Sequence, residues 1–481
     1  MNHSLPYSFV GIQTIFLAMK FNPIYWDTAC LIVNSGSLED NSEIEVVDIY
    51  DPEGDDLANG ITFEDLPDKK SKLRKTVSTD YGKIAKAIGD IQSAGIKVSL
   101  ADINKSDFGF APDIENNQIL FGLKGILNVG DELVSDIILN RPYASPRDFL
   151  NKVKVGKQAM IALIKSGAFD NMMDRKLCMG WYVWETCDKK SRLTLQNMSG
   201  LIKYNLLPEN TEEQIMARRI YEFNRYLKAV CKVSAETYEL DTRALNFIVE
   251  LGYENLVDSL RMMKAKEWDK KVYQPWMDIF RNWITENKEK ILNELNDAIF
   301  KEDWDKYAKG TISAWEMEVL CFYYHEHELA NVNHRKYGFV NFFDLPEDPV
   351  VDKIVFNRGK EVKLFKLHQI CGTCIAKNKV KSTVTLLTTH GVVEVKFRKE
   401  YFSLFDKQIS VRQPDGSKKI MEKSWFNRGN MIVVMGIRSG DNFIVKKYAT
   451  TNGHQLYKIN QVINGNSIRL THDRYQGEME D

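Results

Sequence analysis

At 481 residues the chain is too long for one ordinary core, so two to four domains, each burying its own apolar surface, are expected. A composition 44% hydrophobic and 27% charged excludes a fibre or wholesale disorder, and a formal net charge of −1 leaves any nucleic-acid contact to local basic patches. No stretch approaches the roughly 18 apolar residues of a membrane span, and seven scattered cysteines read as free thiols in a reducing compartment, so a cytoplasmic protein is expected, away from any membrane.

Residues 1–33 read as a buried helix and its continuation. Ser4 can cap it, Pro6 suits a first turn, and Phe9, Ile12, Phe16 and Met19 keep helical spacing up to Pro23. Residues 34–79 turn acidic and then basic, the pattern of an exposed insertion. From Tyr81 to Ala94, Ile84, Ala87, Ile88 and Ile91 form one helical face, Gly95 ends it, and Ile96-Lys97-Val98 reads as a strand. Between 118 and 170 four short helical runs are punctuated by Asn128-Val129-Gly130, Arg141-Pro142, Ser145-Pro146 and Gly156, which predicts paired helical hairpins. Residues 171–330 read as helical and hold seven of the nine tryptophans.

From about residue 360 the apolar period falls to two, through Val384 to Leu386, Val392 to Val395, Met431 to Met435 and Phe443 to Val445. Glycines 391 and 440 mark turns, and one helix intervenes at Glu400 to Phe405. That is the layout of a small oligonucleotide-binding (OB) barrel. The expected fold is multi-domain and mainly α, followed by a β-barrel OB-fold domain.

Two constellations suggest nucleic-acid handling. Leu120 to Ile138 has the layout of a helix-hairpin-helix, whose turn at Lys124, Asn128, Val129 and Gly130 would offer backbone N–H groups to a DNA phosphate; packing alone is the competing reading. Lys377, Lys379, Lys381, Lys396 and Arg398 lie beside Phe397, a pairing of cations and rings suited to a single strand; a solvated sheet face over core aromatics is the alternative. Metal signals fail on geometry. Cys371 and Cys374 would point to opposite faces of a strand, and His325-Glu326-His327 lacks the i, i+4 spacing of a zinc helix.

Taken in order, these pieces resemble the bacterial and phage DNA polymerase III alpha subunit, a family C DNA polymerase, from late in its fingers domain onward. His3-Ser4-Leu5-Pro6-Tyr7 and Ile12-Gln13-Thr14 look like its fingers helix, and Gly95 to Ser106 is similar to its G-I-x-V-x-x-P-D-x-N-x-S segment, with Ala101 for proline. Phe121 to Ile138 followed by Leu163 to Asp170 resembles its helix-hairpin-helix region. Glu316-Met317-Glu318-Val319-Leu320 with Tyr323 and His327 looks like E-x-E-x-L-G-x-Y-x-x-x-H-P-L, with Cys321 and Glu328 at the glycine and proline positions. Thr383 to Val395 is similar to its barrel strands.

The resemblance implies fingers with an insertion (1–110, insertion 34–80), a tandem helix-hairpin-helix (111–172), a helical tryptophan-rich insertion (173–311), a connection (312–358), an OB fold (359–465) and a polar tail (466–481). It implies His3 on the triphosphate and Tyr7 on the base or sugar of an incoming deoxynucleoside triphosphate, with primer-template DNA as the other partner. Bond formation in the family uses Mg2+ held by palm aspartates. Pro112-Asp113-Ile114-Glu115 is misplaced for that role, so a separate upstream palm-bearing segment is expected to bind the metal, leaving this nucleotidyltransferase part inactive alone. A sliding clamp is a further implied partner, although Gln196-Asn197-Met198 matches a clamp-binding peptide poorly. The rival reading is a non-catalytic nucleic-acid-binding protein derived from such a polymerase.

Overall fold

The computed structural model describes residues 12, 13, 15, 16, 20–35, 81–357, 360–412, 418–449, 451–463 and 466–474. His3, Ser4, Tyr7 and the expected insertion beyond residue 35 lie outside the described residues. The chain divides into two compact units, Met1–Met179 with Gly310–Asp481, and Gly180–Lys309.

In the first unit, Pro23 opens rather than ends a helix, α1 (Pro23–Ser35), as a first-turn proline can. Ile24 and Leu31 are buried, but Ile12, Ile15 and Phe16 are exposed, against the expectation of a buried segment. The next helix, α2 (Tyr81–Ser93), buries Ile84, Ile88 and Ile91 as expected. Ala85 and Gly89 are buried as well, while Ala87 is only half-buried, because α2 packs a second side on the barrel. A methyl group at Gly89 would come within 2.5 Å of Val392 Cγ2, so glycine permits this approach. After the turn at Gly95 come three short strands, β1 (Lys97–Val98), β2 (Ala111–Asp113) and β3 (Gln118–Leu120), in the order β1-β3-β2.

The helical run expected after residue 118 is instead strand β3 and a single 3-10 turn, Leu123–Gly125. Gly122 and Gly125 interrupt that stretch, and Phe121 and Leu123 are drawn into the core from a short extended segment. Three helices then follow, α3 (Asp131–Leu139), α4 (Pro146–Lys152) and α5 (Lys157–Lys165). Ser145 caps α4 by accepting the Asp148 N–H at 3.1 Å. Phe149 stacks edge-on between Tyr143 and Phe169, filling the space between the hairpins.

Helix α6 (Arg175–Thr186) leads into the second unit. There α7 (Met198–Lys203), α8 (Glu212–Tyr226), α9 (Thr242–Glu250) and α10 (Gln274–Tyr307) enclose two apolar clusters. The unit is not wholly helical: β4 (Thr237–Glu239) and β5 (Met262–Lys264) form an antiparallel pair. Trp268 is fully buried, its indole N–H donating to Asn224 Oδ1 at 3.1 Å. Asn287 breaks the helical dihedrals of α10, and its side-chain amide bonds the Trp283 carbonyl.

The first unit resumes with α11 (Ile312–Val319) and ends in sheet. A ribbon of β6 (Val351–Asn357) and β7 (Lys360–Phe365) precedes the barrel strands β8 (His368–Asn378), β9 (Thr383–Thr388) and β10 (Gly391–Lys396). Helix α12 (Lys399–Asp406) and a second ribbon, β11 (Ile409–Arg412) with β12 (Lys418–Glu422), come before β13 (Met431–Ser439) and β14 (Asn442–Val445). The strand order β8-β9-β10-β14-β13 closes on itself, because β13 pairs with both β14 and β8, and only the β10–β14 pairing is parallel. This closed five-stranded barrel, with its helix between the third and fourth strands, has the order of an OB fold.

β8 and β13 are buried on both faces, because β15 (Leu456–Ile463) and β16 (Ser467–Thr471) extend the sheet over a second cluster around Leu329, Phe339 and Val433. The segment read as a polar tail from 466 therefore starts with a strand. Its alternation of Ile468 and Leu470 with Ser467, Arg469 and Thr471 suits a half-covered edge. Cys371 falls in that second cluster and Cys374 in the barrel core, on opposite faces of β8, and burial pushes both thiols up to about 12.

Candidate nucleic-acid interface

The first hairpin turns through Asn128, which adopts the left-handed conformation (φ 66°) that asparagine tolerates better than most residues. Val129 is buried, and Gly130 caps α3 with no side-chain hydrogen bond. The first turn of α3 carries Asp131 and Glu132, and Lys124 is paired with Asp131. Both acids oppose an anion at this helix start, and the cation nearest it is already engaged. The second hairpin differs. Gly156 caps α5 without a side-chain bond, and no acidic residue lies in its first turn.

The hairpins are fixed from three sides. The side-chain amide of Asn104 both donates to the Tyr143 carbonyl and accepts the Tyr143 N–H, each at 2.9 Å. Arg141 Nε donates to the Ile103 carbonyl at 2.8 Å, and its Nη2 donates to the Ser106 carbonyl. Asp102 Oδ1 accepts the Asn104 N–H, and Ser106 Oγ accepts the Asp102 N–H, so the Asp102 to Ser106 element acts as a brace. Asp113, from the misplaced acidic tetrapeptide, accepts from the side chains of Asn116 and Gln118 at 2.8 Å and shapes the β2–β3 turn.

The third tie runs to α11. Arg175 is 3% exposed and donates to both oxygens of Asp170, to Glu316 Oε1 at 2.9 Å and to the Lys165 carbonyl. Burial works against its charge, but Asp170 and Glu316 outweigh that and hold its pKa above the ordinary value. Glu316, with no exposed surface, also accepts the backbone N–H groups of Tyr324 and His325. Beside it Lys165 pairs with Glu318 at 2.6 Å. Gly167 (φ 82°) makes room, since a Cβ there would lie 2.4 Å from Arg175 Nη2.

Tyr323 and His327 join this segment to the barrel. Tyr323 OH lies 2.9 Å from Thr373 Oγ1, and the His327 ring packs against Tyr323. His327 Nδ1 accepts the Leu329 N–H at 3.0 Å, which leaves Nε2 as the donor to the Leu387 carbonyl at the same distance. Burial pushes its pKa down to about 4, only partly opposed by that carbonyl. Cys321, at the position where the resemblance expects glycine, is buried with φ 67°. A left-handed backbone there accounts for the glycine.

The topology gathers the basic residues at one end of the barrel. Lys396 is in register with Thr383, Thr383 with Asn378, and the β8–β9 turn between them carries Lys379 and Lys381. Lys381, Lys396 and Arg398 are exposed. Lys377 is not available in the same way: its Nζ contacts Asp406 at 2.5 Å, Ser424 and Asn427. Lys379 Nζ lies 3.5 Å from the same carboxylate. Although burial opposes it, these two lysines and Ser424 hold the Asp406 carboxyl below its usual range.

Phe397 must be corrected as a stacking ring. It is 8% exposed and packs on Phe402 and Phe426, because the alternation Val393, Val395, Phe397 carries it inward. The sequence reading missed Asp406, Arg175 and the β6–β7 ribbon. Among the described residues no three His, Cys, Asp or Glu side chains converge as a metal-holding group, and no helix is long and apolar enough to cross a membrane.

Comparison with known proteins agrees with this geometry. Residues 95–177 match a family model described as a helix-hairpin-helix motif. The chain is 38% identical over 98% of its length to the probable DNA polymerase YorL of Bacillus subtilis (strain 168), and equally to a DNA-directed DNA polymerase of Bacillus phage SPbeta. It spans 35% of each of those relatives. A shorter stretch, 20% of the chain and 8% of the relative, is 37% identical to the DNA polymerase III subunit alpha of Thermus aquaticus. With hairpins and barrel in that order, the sequence is that of a region similar to the C-terminal part of the DNA polymerase III alpha subunit.

Proposed function

We propose that this chain holds primer-template DNA during DNA-templated DNA synthesis, as one region of a replicative polymerase. The hairpins take the duplex backbone, and the barrel takes the single-stranded template. The observation that carries this reading is the combination, in one unit, of a helix-hairpin-helix region with a closed OB barrel that has cations gathered at one end. Backbone N–H groups at an uncapped helix start can take a phosphate without reading a base, so the start of α5 is the better of the two helix starts.

At the barrel, Lys381, Lys396, Arg398 and, more weakly, Lys379 are the groups for phosphates, while Lys377 mainly orders Asp406. In the same reading His3 and Tyr7 meet the incoming deoxynucleoside triphosphate. Bond formation belongs to Mg2+-binding carboxylates outside these residues, and a sliding clamp remains a candidate partner. No catalytic step is assigned to the described side chains.

The test is DNA binding by the chain, followed by primer extension in the presence of the rest of the polymerase. Lys381→Ala with Arg398→Ala should weaken single-strand binding and flatten its salt dependence by about 0.7 per lost phosphate contact. His3→Ala and Tyr7→Ala should raise the nucleotide concentration needed for extension. A chain that binds neither duplex nor single strand would overturn the proposal. Primer extension by the chain alone would overturn the assignment of catalysis elsewhere.

A further inference from the structure

The β6–β7 ribbon stands apart from the barrel sheet, since each of its strands pairs only with the other. Phe356 is 78% exposed, the highest value for any phenylalanine among the described residues, and Ile354 on the same face is 51% exposed. Across the ribbon, Lys363 is in register with Ile354 and Glu361 with Phe356. Lys353 and Lys360 project from the opposite face, where Val355 and Val362 lie. Among the described residues no acidic side chain holds Lys353, Lys360 or Lys363, in contrast to Lys377.

A single exposed ring is ordinary on a protein surface. The combination here is not: an exposed ring and three unpaired cations sit on a strand pair that is anchored to the barrel. At the ribbon's base the Phe365 N–H donates to Tyr448 OH at 2.7 Å, and Lys446 Nζ sits 4.9 Å from the Phe365 ring centre and 5.5 Å from that of Tyr448. Lys396 of the basic barrel end is in register with Ile444, two residues before Lys446. At its base the ribbon thus packs against the segment that follows β14, the strand paired with β10.

We propose that the ribbon is a second contact for single-stranded nucleic acid, with the Phe356 ring stacking on a base and Lys363, on the same face, taking a flanking phosphate, while Lys353 and Lys360 add positive charge from the other face. Every base offers a π-face, so such a contact is insensitive to sequence. An exposed ring suits an unpaired strand, because a duplex keeps its bases stacked on one another. This inference rests on the barrel's reading as a single-strand site, and its test separates the two.

Binding of the full chain to a labelled single-stranded oligonucleotide and to the matching duplex is compared for wild type, Phe356→Ala, Phe356→Trp and Lys381→Ala. Phe356→Ala should weaken single-strand binding about 10-fold and leave duplex binding within about twofold; Phe356→Trp should restore it. In a strand carrying 2-aminopurine, wild type and Phe356→Trp should quench the base, and Phe356→Ala should not. If Phe356→Ala binds single strands as wild type does while Lys381→Ala binds more weakly, the ribbon proposal fails and the barrel reading stands. Equal losses on single strand and duplex would also overturn it. Absence of single-strand binding by wild type removes both.

Discussion

Lowering the pH should unfasten the joint between the α11 segment and the barrel, through His327. The neutral ring uses both nitrogens, Nδ1 accepting from the Leu329 N–H and Nε2 donating to the Leu387 carbonyl. Protonation turns the acceptor into a second donor facing an N–H, in a site where burial already disfavours charge. With the pKa lowered from 6.5 to about 4, the unfolded state binds the additional proton between those values. Stability from this group is therefore complete above pH 6.5 and is lost as pH falls toward 4, a total of about 3 kcal/mol.

Glu328 titrates nearby with its pKa raised by burial, so the comparison is made against His327→Gln, in which that contribution largely cancels. Hydrogen exchange in peptides covering residues 320–330 and β9, followed from pH 7 to pH 4, should show wild type losing protection relative to the variant. A wild-type chain with the same pH dependence as His327→Gln, or an imidazole titrating near 6.5 by NMR, would refute the reasoning.

Four other expectations follow from the packing. Arg175→Ala should cost about 3–5 kcal/mol in urea unfolding of the first unit, because it strips the guanidinium from the unexposed Glu316 and leaves it only its contacts with Tyr324 and His325. Gly167→Ala should cost about 1–3 kcal/mol from backbone strain and the clash with Arg175, whereas Gly156→Ala, at φ −74° with open space, should cost no more than about 1 kcal/mol, from the poorer helix cap alone. Phe397→Ala should lower barrel stability by about 3–5 kcal/mol in the same assay, as a core ring would, with no selective loss of single-strand affinity at a temperature where it remains folded. Cys321→Gly should be at least as stable as Cys321→Ala, since relief of a left-handed non-glycine residue, about 1 kcal/mol, offsets the smaller side chain.

What was legible in the sequence was whatever periodicity and turn chemistry encode. Asn128 marked the hairpin because few other residues adopt its backbone, and Val393 and Val395 marked a strand because one face had to be apolar. The same alternation places Phe397 inside, so reading it as a surface ring went against the pattern. Long-range pairings left no local trace. Lys377 looked like a free cation because Asp406 is 29 residues away, and Glu316 and Arg175 are 141 residues apart. The chain's near-neutral total charge hid the ribbon, whose lysines stand out only once no ion pair is found to hold them. The glycine-to-cysteine departure at residue 321 was visible, but its cost became readable only from the backbone angle.

The central claim is that this region grips DNA through phosphate contacts at the hairpins and one end of the barrel. Its most direct test is the affinity of the chain for a primer-template with a single-stranded overhang, measured against salt concentration. Affinity should fall steeply and linearly on a log–log plot, with a shallower slope for the Lys381→Ala and Arg398→Ala double variant. Affinity that is undetectable, or that does not change with salt, would contradict the account.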